Sequence, residues 1–277
     1  KDKGLHNESI DLGFNHKSGL FVNGGYTRNN HGGWQGDLTG REKRWHPKDQ
    51  ALMNGMFGFQ NRNMNVWYRL DFLDEKIFGP NNGSELQPEK VSDKDFLTKR
   101  YTHQLQSDWK LDNRLDVHAA LSYQDYKRRT RTTESDLSTG EKWLSSAEAS
   151  QDITQYKAWI ARATVAWNIA PEFSVQPGVE YQWTQGEGGR IDGTPKVSDL
   201  AFFLSAEYKP WEWLSLRPGV RTFIVADYDA PIAIPSVLTK FKLTKHMDLR
   251  LSYAYGFRSP TLQELYFSFH NDNHDID

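Results

Sequence analysis

Residues 157–168, KAWIARATVAWN, decide the fold. Successive side chains of a β-strand point to opposite faces of the sheet. Trp159, Ala161, Ala163, Val165 and Trp167 therefore share one face, and Arg162, Thr164 and Asn168 the other. The first face is wholly apolar and is closed by tryptophan at both ends. The second carries a charge that a packed interior does not accept without a partner. Eight residue steps separate the two tryptophans, which at about 3.3 Å per residue and a tilt of roughly 45° is about 19 Å, close to the apolar band of an outer membrane.

The same grammar recurs outward in both directions. Over 115–124, Leu115, Val117, Ala119, Leu121 and Tyr123 oppose Asp116, His118, Ser122 and Gln124. Over 173–183, Phe173, Val175, Val179, Tyr181 and Trp183 oppose Ser174, Gln176, Glu180 and Gln182. Alternation and breaker residues predict about twelve strands, at 6–15, 20–29, 51–60, 64–74, 97–110, 115–127, 153–168, 173–185, 199–209, 214–225, 235–243 and 249–258. Short turns at 16–19, 61–63, 112–114, 170–172, 210–213 and 244–248 alternate with long polar connections at 30–50, 76–96, 128–152, 186–198 and 226–234. In an up-and-down meander that order puts every short turn on one rim and every long loop on the other, as transmembrane barrels do. A soluble sandwich has no reason to keep it, and a propeller would show a repeat per blade, which is absent. The fold class is all-β, an antiparallel up-and-down transmembrane β-barrel.

Composition agrees. Hydrophobic residues make up 37% and aromatics 13%, with 10 Trp, a balance that suits girdles at a membrane interface better than an aliphatic core. Net charge is -2, so no global field attracts nucleic acid. No cysteine is present, which excludes disulfides, thiolate metal sites and a cysteine nucleophile. No run of about 18 apolar residues forms a membrane helix, which leaves β-strand spans untouched. No nucleophile elbow, phosphate loop or HExxH pair occurs, so the chain reads as a non-enzyme. Residues 1–277 read as part of one barrel domain, entered in mid-pattern.

The last predicted strand runs into Tyr255-Gly256-Phe257-Arg258-Ser259-Pro260-Thr261-Leu262-Gln263-Glu264-Leu265-Tyr266. Pro260 ends regular pairing, because proline fixes φ and donates no N–H. This segment resembles a box carried in mid-barrel by TonB-dependent outer-membrane receptors, a Phe/Tyr-Arg-Ala-Pro core followed by Glu-Leu-Tyr. The matching residues are Phe257, Arg258, Ser259, Pro260, Glu264, Leu265 and Tyr266, with Ser259 in place of the usual alanine. The passages at 214–221 and 68–75 fit the same family. The resemblance implies about 12 of the roughly 22 strands of such a barrel, without its plug domain and energy-coupling box. It also implies a bacterial outer-membrane location, and active import of a scarce metal chelate driven by the inner-membrane protein TonB through the plug. A surface lipoprotein is a further partner the resemblance allows. A passive channel or adhesin of the same architecture, and a soluble β-rich binding protein, are the alternatives of other classes.

The cargo implied is haem or an iron-siderophore, with cobalamin as the alternative, and no covalent cofactor. In haem-type relatives a histidine beyond the box ligates the iron, and His270 and His274 occupy that region; neutral imidazole is a competent axial ligand. His31 and His46, with Trp34 and Trp45, form a second candidate group in an earlier long loop, where rings suit stacking on a flat ligand. Arg128 and Arg129 could attract an anionic siderophore. Asp272 and Asp275 could offer oxygen ligands to Ca²⁺, though the spacing completes no EF-hand loop. Arg258 is expected to brace the barrel wall or plug through its bidentate donors, and 270–277 to begin an external loop.

Overall fold

The computed structural model describes residues 4–147, 149–188 and 191–266, together with the backbone of Lys3, Phe269–Asn271 and His274–Ile276. The strands are β1 (Lys3–Asn15), β2 (Leu20–Gly32), β3 (Lys48–Gln60), β4 (Met64–Gly79), β5 (Lys90–Lys110), β6 (Leu115–Asp136), β7 (Lys142–Leu144) and β8 (Ile153–Ala170). They continue with β9 (Phe173–Glu187), β10 (Lys196–Trp211), β11 (Leu214–Val225), β12 (Ile234–Lys242) and β13 (Asp248–Ala254). After these come one turn of helix, α1 (Leu262–Leu265), and the short strands β14 (Phe269–Asn271) and β15 (His274–Ile276). Apart from β7, which pairs only with β6, strands β1 to β13 form one antiparallel sheet in sequence order. The sheet is the wall of a partial barrel, open between β1 and β13. Every short turn lies on one rim and every long connection on the other, as the alternation predicts.

The register explains why these residues make this wall. Residues opposite each other across a ladder share a face. The row Phe14, Val22, Phe57, Tyr68, Leu105, Leu121, Ala161, Tyr181, Leu200 and Ile224 crosses ten strands without a charge. Three residue steps along, the opposite face presents Asp11, Asn54, Asp71, Thr102 and Gln124. The apolar face is exposed rather than packed: Trp159 is 40% and Trp167 48% accessible, and Leu251 55%. Aromatic rings bound this face on both sides, Tyr101 and Trp159 toward the long loops, Trp109 and Trp167 toward the turns. Between them the ionisable imidazole of His103 is paired, its Nδ1 2.6 Å from the Tyr68 hydroxyl. The apolar band is the surface that meets lipid.

Where charge stands on the polar face, it is compensated locally. Glu180 is 8% accessible and lies between two arginines, Arg221 and Arg162, whose Nε is 3.2 Å from its Oε2. Both guanidiniums also lie over the Phe203 ring. Gly178 makes room for that ring: a Cβ there would stand 2.2 Å from Phe203 Cζ.

Three expectations need correcting. Strands β4, β5 and β6 run well beyond 74, 97 and 127, so much of the predicted connections 76–96 and 128–152 is strand, with pairs such as Ile77–Phe96 and Lys94–Thr132. Beyond the apolar band neither face has to be apolar, and polar residues such as Thr98 and Thr132 are buried there, so the alternation fades while the backbone ladder continues. The last long strand stops at Ala254 rather than 258: past the Ser236–Ala254 pair its partner β12 has only Pro235 and Ile234 left, and Pro235 accepts from Tyr255 N but has no N–H to return. The segment 269–276 is not plain loop, since β14 pairs with β15 as a two-stranded sheet.

A charge placed in the lipid-facing band tests the orientation. Leu121→Arg should destabilise the barrel by about 2–4 kcal/mol, the cost of an arginine near the bilayer midplane. Ser122→Arg on the opposite face should cost far less. Equilibrium unfolding of the whole protein from lipid vesicles checks the pair, and equal costs would show the faces to be misassigned.

Candidate functional site at the long-loop mouth

At the long-loop rim the chain stops being a plain wall and brings distant segments together. The box residues fold back over the polar face. Thr261 caps α1: its Oγ1 accepts from Glu264 N at 3.2 Å, while the Glu264 carboxylate accepts from Thr261 N at 2.7 Å, a reciprocal capping box. The same carboxylate takes a bidentate pair from Arg258, Nη1 to Oε2 at 2.9 Å and Nη2 to Oε1 at 2.7 Å. The Arg258 pair first, then the Thr261 donors, hold the Glu264 carboxyl down at about 2. Arg258 therefore braces its own turn, and its side chain is largely exposed.

Beneath this polar clasp sits a small apolar core. Leu262, Ile191 and Val197 are buried together, with Tyr156, Tyr228, Leu265 and Tyr266 packed around them. A Cβ at Gly186 would come within 2.9 Å of both Leu262 Cδ2 and Tyr156 Cδ1, so the helix sits against β9 where the strand has no side chain. Phe257 packs on Phe223 and Tyr228, with ring centroids 5.5 and 6.3 Å apart. The Tyr228 hydroxyl donates to Asp199 Oδ2 at 2.8 Å, and burial, with that carboxylate beside it, pushes the phenol up to about 12. Sequence reasoning missed this core. Its signal in the sequence is Leu262 with Leu265 three residues on, which share one side of the helical turn.

The early long loop, residues 33–47, is locked rather than free. Arg41 makes a two-toothed ion pair with Asp93, Nη1 to Oδ1 at 3.0 Å and Nη2 to Oδ2 at 2.6 Å. Its amide donates to Asn82 Oδ1 at 2.7 Å, and Asn82 Nδ2 donates back to Thr39 O at 3.0 Å. This latch joins two long connections. It holds together most of the aromatic group read from the sequence: Trp34 and Trp45 exchange backbone hydrogen bonds at 2.9 and 3.0 Å. Their rings meet edge-on at 5.8 Å, with His31 6.0 Å from Trp45. His46 lies by the end of β4, its ring beside Gly79.

Arg128 and Arg129 do not act together. They are neighbours within β6 and so face opposite ways: Arg128 is opposite Thr98 on the polar face, 4.3 Å above the Phe96 ring, and Arg129 is opposite Leu97 on the apolar side of the sheet. The polar face above the band thus carries Arg128, Arg100 and the ring pair Tyr126–Tyr156 in one region. Asp272 and the side chains of His270, His274 and Asp275 lie outside the described residues. No catalytic arrangement is present among the described residues. What the mouth offers is a cationic and aromatic lining.

Residues 178–276, just over a third of the chain and including the box, match the family model described as TonB dependent receptor-like, beta-barrel. Among solved structures the fold is similar to a mutant of the ferric enterobactin receptor from Pseudomonas aeruginosa, with a TM-score of 0.69 at 12% identity over 95% of this chain and 43% of that one. It is also similar to the outer membrane transporter YddB from Escherichia coli, with a TM-score of 0.62 at 12% identity over 86% and 36%. The siderophore receptor PiuA from Acinetobacter baumannii gives 0.59 at 10% over 90% and 47%. The chain thus spans less than half the length of each, and the likeness is one of fold. No curated protein sequence matches. The fold is that of an outer-membrane β-barrel; in such barrels the short turns are periplasmic and the long loops external.

The clasp gives a titration that can be checked. Because the folded carboxyl sits below its usual range, its contribution is fully present above about pH 4.5 and is lost as pH falls toward about 2. In the whole protein, the Glu264 carboxyl carbon should titrate near 2 by NMR, and Arg258→Ala should return it to the ordinary carboxylate range. An unmoved midpoint in the variant would remove Arg258 as the cause.

Proposed function

From a chain whose residues 178–276 are TonB-dependent receptor barrel and whose other strands continue the same sheet, we propose a function in energised uptake. The protein takes a scarce iron chelate, in first place a ferric siderophore, from the external mouth across the outer membrane. The observation that carries this reading is the clasped box inside the mouth, formed by residues within the matched region. Energy comes from TonB at the inner membrane, acting through a plug domain that this barrel surrounds in the complete protein.

The mouth chemistry supports an anionic, ring-bearing cargo. Arg128 is held in place by the Phe96 face, so little entropy is lost when it meets an anion. Arg100 and the Tyr126–Tyr156 pair stand one row below. The Trp34, Trp45 and His31 rings add a stacking surface on the latched loop. Haem held by His270 or His274, cobalamin, Ca²⁺ bound at Asp272 and Asp275, and a surface lipoprotein are further readings that the tests separate.

Growth of the source cell on a ferric siderophore, haem or cobalamin as sole supply, with and without this gene, identifies the cargo. We expect loss of growth on the siderophore alone, and the same loss when TonB is deleted. Uptake that persists without TonB would make the protein a passive channel. In the purified whole receptor, Arg128→Ala with Arg100→Ala should weaken ferric-siderophore binding tenfold or more, while Arg129→Ala leaves it unchanged.

A further inference from the structure

The lipid side of the wall carries an unexplained block of positive charge just above its aromatic girdle. On β4, β5, β6 and β8, six cations share that face: Lys76, Lys99, Lys127, Arg129, Arg131 and Lys157. Three carboxylates stand among them, Asp74, Asp95 and Asp125, so the local balance is 6 − 3 = +3. Lys76 and Arg131 both converge on Asp95, and Lys99 reaches Asp74 only at 3.9 Å. Lys127, Arg129 and Lys157 make no ion pair among the described residues. Lys99 and Lys127 stand directly opposite each other across the β5–β6 ladder, an arrangement that costs stability unless an anion comes between them.

The position of the block narrows the ligand. Directly below it in the same strands are Tyr101, Tyr123 and Trp159, the last two with ring centroids 4.4 Å apart. Below the rings the band is dented where small side chains replace large ones: Ala119, Ala161 and Ala163 form a depression of about 300 Å³ walled by Leu105, Leu121 and Tyr181. From Leu121 up to Lys127 is six residue steps, about 20 Å along a strand and roughly 14 Å along the membrane normal at a 45° tilt. Cations at headgroup height, rings at the interface and an apolar hollow at acyl depth follow one another along the same tilted strands, offset sideways by roughly the same 14 Å.

We propose that this face binds one specific lipid, a phosphorylated and multiply acylated glycolipid of the outer leaflet. Its phosphates sit among Lys99, Lys127, Arg129 and Lys157, and an acyl chain occupies the depression below. The charge complementarity is that of a polybasic surface with anionic headgroups, and the external rim places it in the leaflet that holds such a lipid. The inference rests on the barrel's orientation in the membrane and not on its cargo.

The test uses the whole receptor purified in detergent, stripped of lipid and titrated with lipid A, phosphatidylglycerol or inorganic phosphate, with binding read by native mass spectrometry. Lipid A should bind to wild type at least tenfold more tightly than phosphatidylglycerol, with no retention of phosphate. The triple variant Lys127→Gln/Arg129→Gln/Lys157→Gln should lose lipid A tenfold or more, whereas Lys127→Arg/Arg129→Lys/Lys157→Arg keeps it. Ala161→Trp, which fills the hollow, should weaken lipid A without touching the cations. Heat-modifiable migration on a gel confirms a folded barrel for each variant, and single substitutions replace the triple if it fails to fold. Equal binding of lipid A and phosphatidylglycerol, or a triple variant that binds lipid A like wild type, overturns the proposal. Ferric-siderophore binding should be unaffected throughout, so its loss elsewhere leaves this inference standing.

Discussion

Hydrocarbon offers no partner to a backbone N–H or C=O, so each must be satisfied by another strand wherever the chain crosses a membrane. The antiparallel ladder running from β1 to β13 meets that demand, and it also decides where every side chain goes. Once Leu105 is opposite Leu121 and Leu121 opposite Ala161, the face of each neighbouring residue follows from the two-residue period. A slip of one residue would turn Arg162 and Glu180 into lipid. The register is therefore enforced twice, by the backbone and by the cost of burying those charges.

The part of the fold that lipid constrains was the part legible in the sequence. Strands such as 157–168 alternate because one face must be apolar, and the turn ends of the strands were read to within a few residues for the same reason. Beyond the girdle that pressure is gone. Residues 90–96 (KVSDKDF) and 128–136 (RRTRTTESD) are strand beyond the apolar band, and nothing in their polarity distinguishes them from loop. The box was recognisable as a motif, but its folding onto the polar face was not, because that depends on a hollow at Gly186 and on distant Ile191 and Val197. Trp34 and Trp45 were legible as a pair of rings in one loop. The Arg41–Asp93 latch that holds them was not, since its partners lie far apart in sequence.

Polar groups at the mouth differ in what they do. The Glu264 clasp is exposed, so its role is to fix the shape of one turn more than to stabilise the fold, as exposed ion pairs contribute little. Glu180 is the opposite case: nearly buried on the polar face, it needs both arginines, and removing either leaves a carboxylate short of a partner. The mouth is thus built from a stiff wall, a latched loop and a clasped turn. Cargo would meet side chains already held in place, which lowers the entropy of capture.

Because each long strand pairs only with its immediate neighbours in the chain, nearly every contact in the sheet is made within one hairpin or between two successive ones. Joining ends that are close in sequence costs little loop entropy. The wall can therefore grow one hairpin at a time from either edge, each added strand templated by the exposed edge of the last. Assembly order need not be encoded anywhere else, and a defect in one hairpin would halt growth at that point instead of scrambling strands already in place.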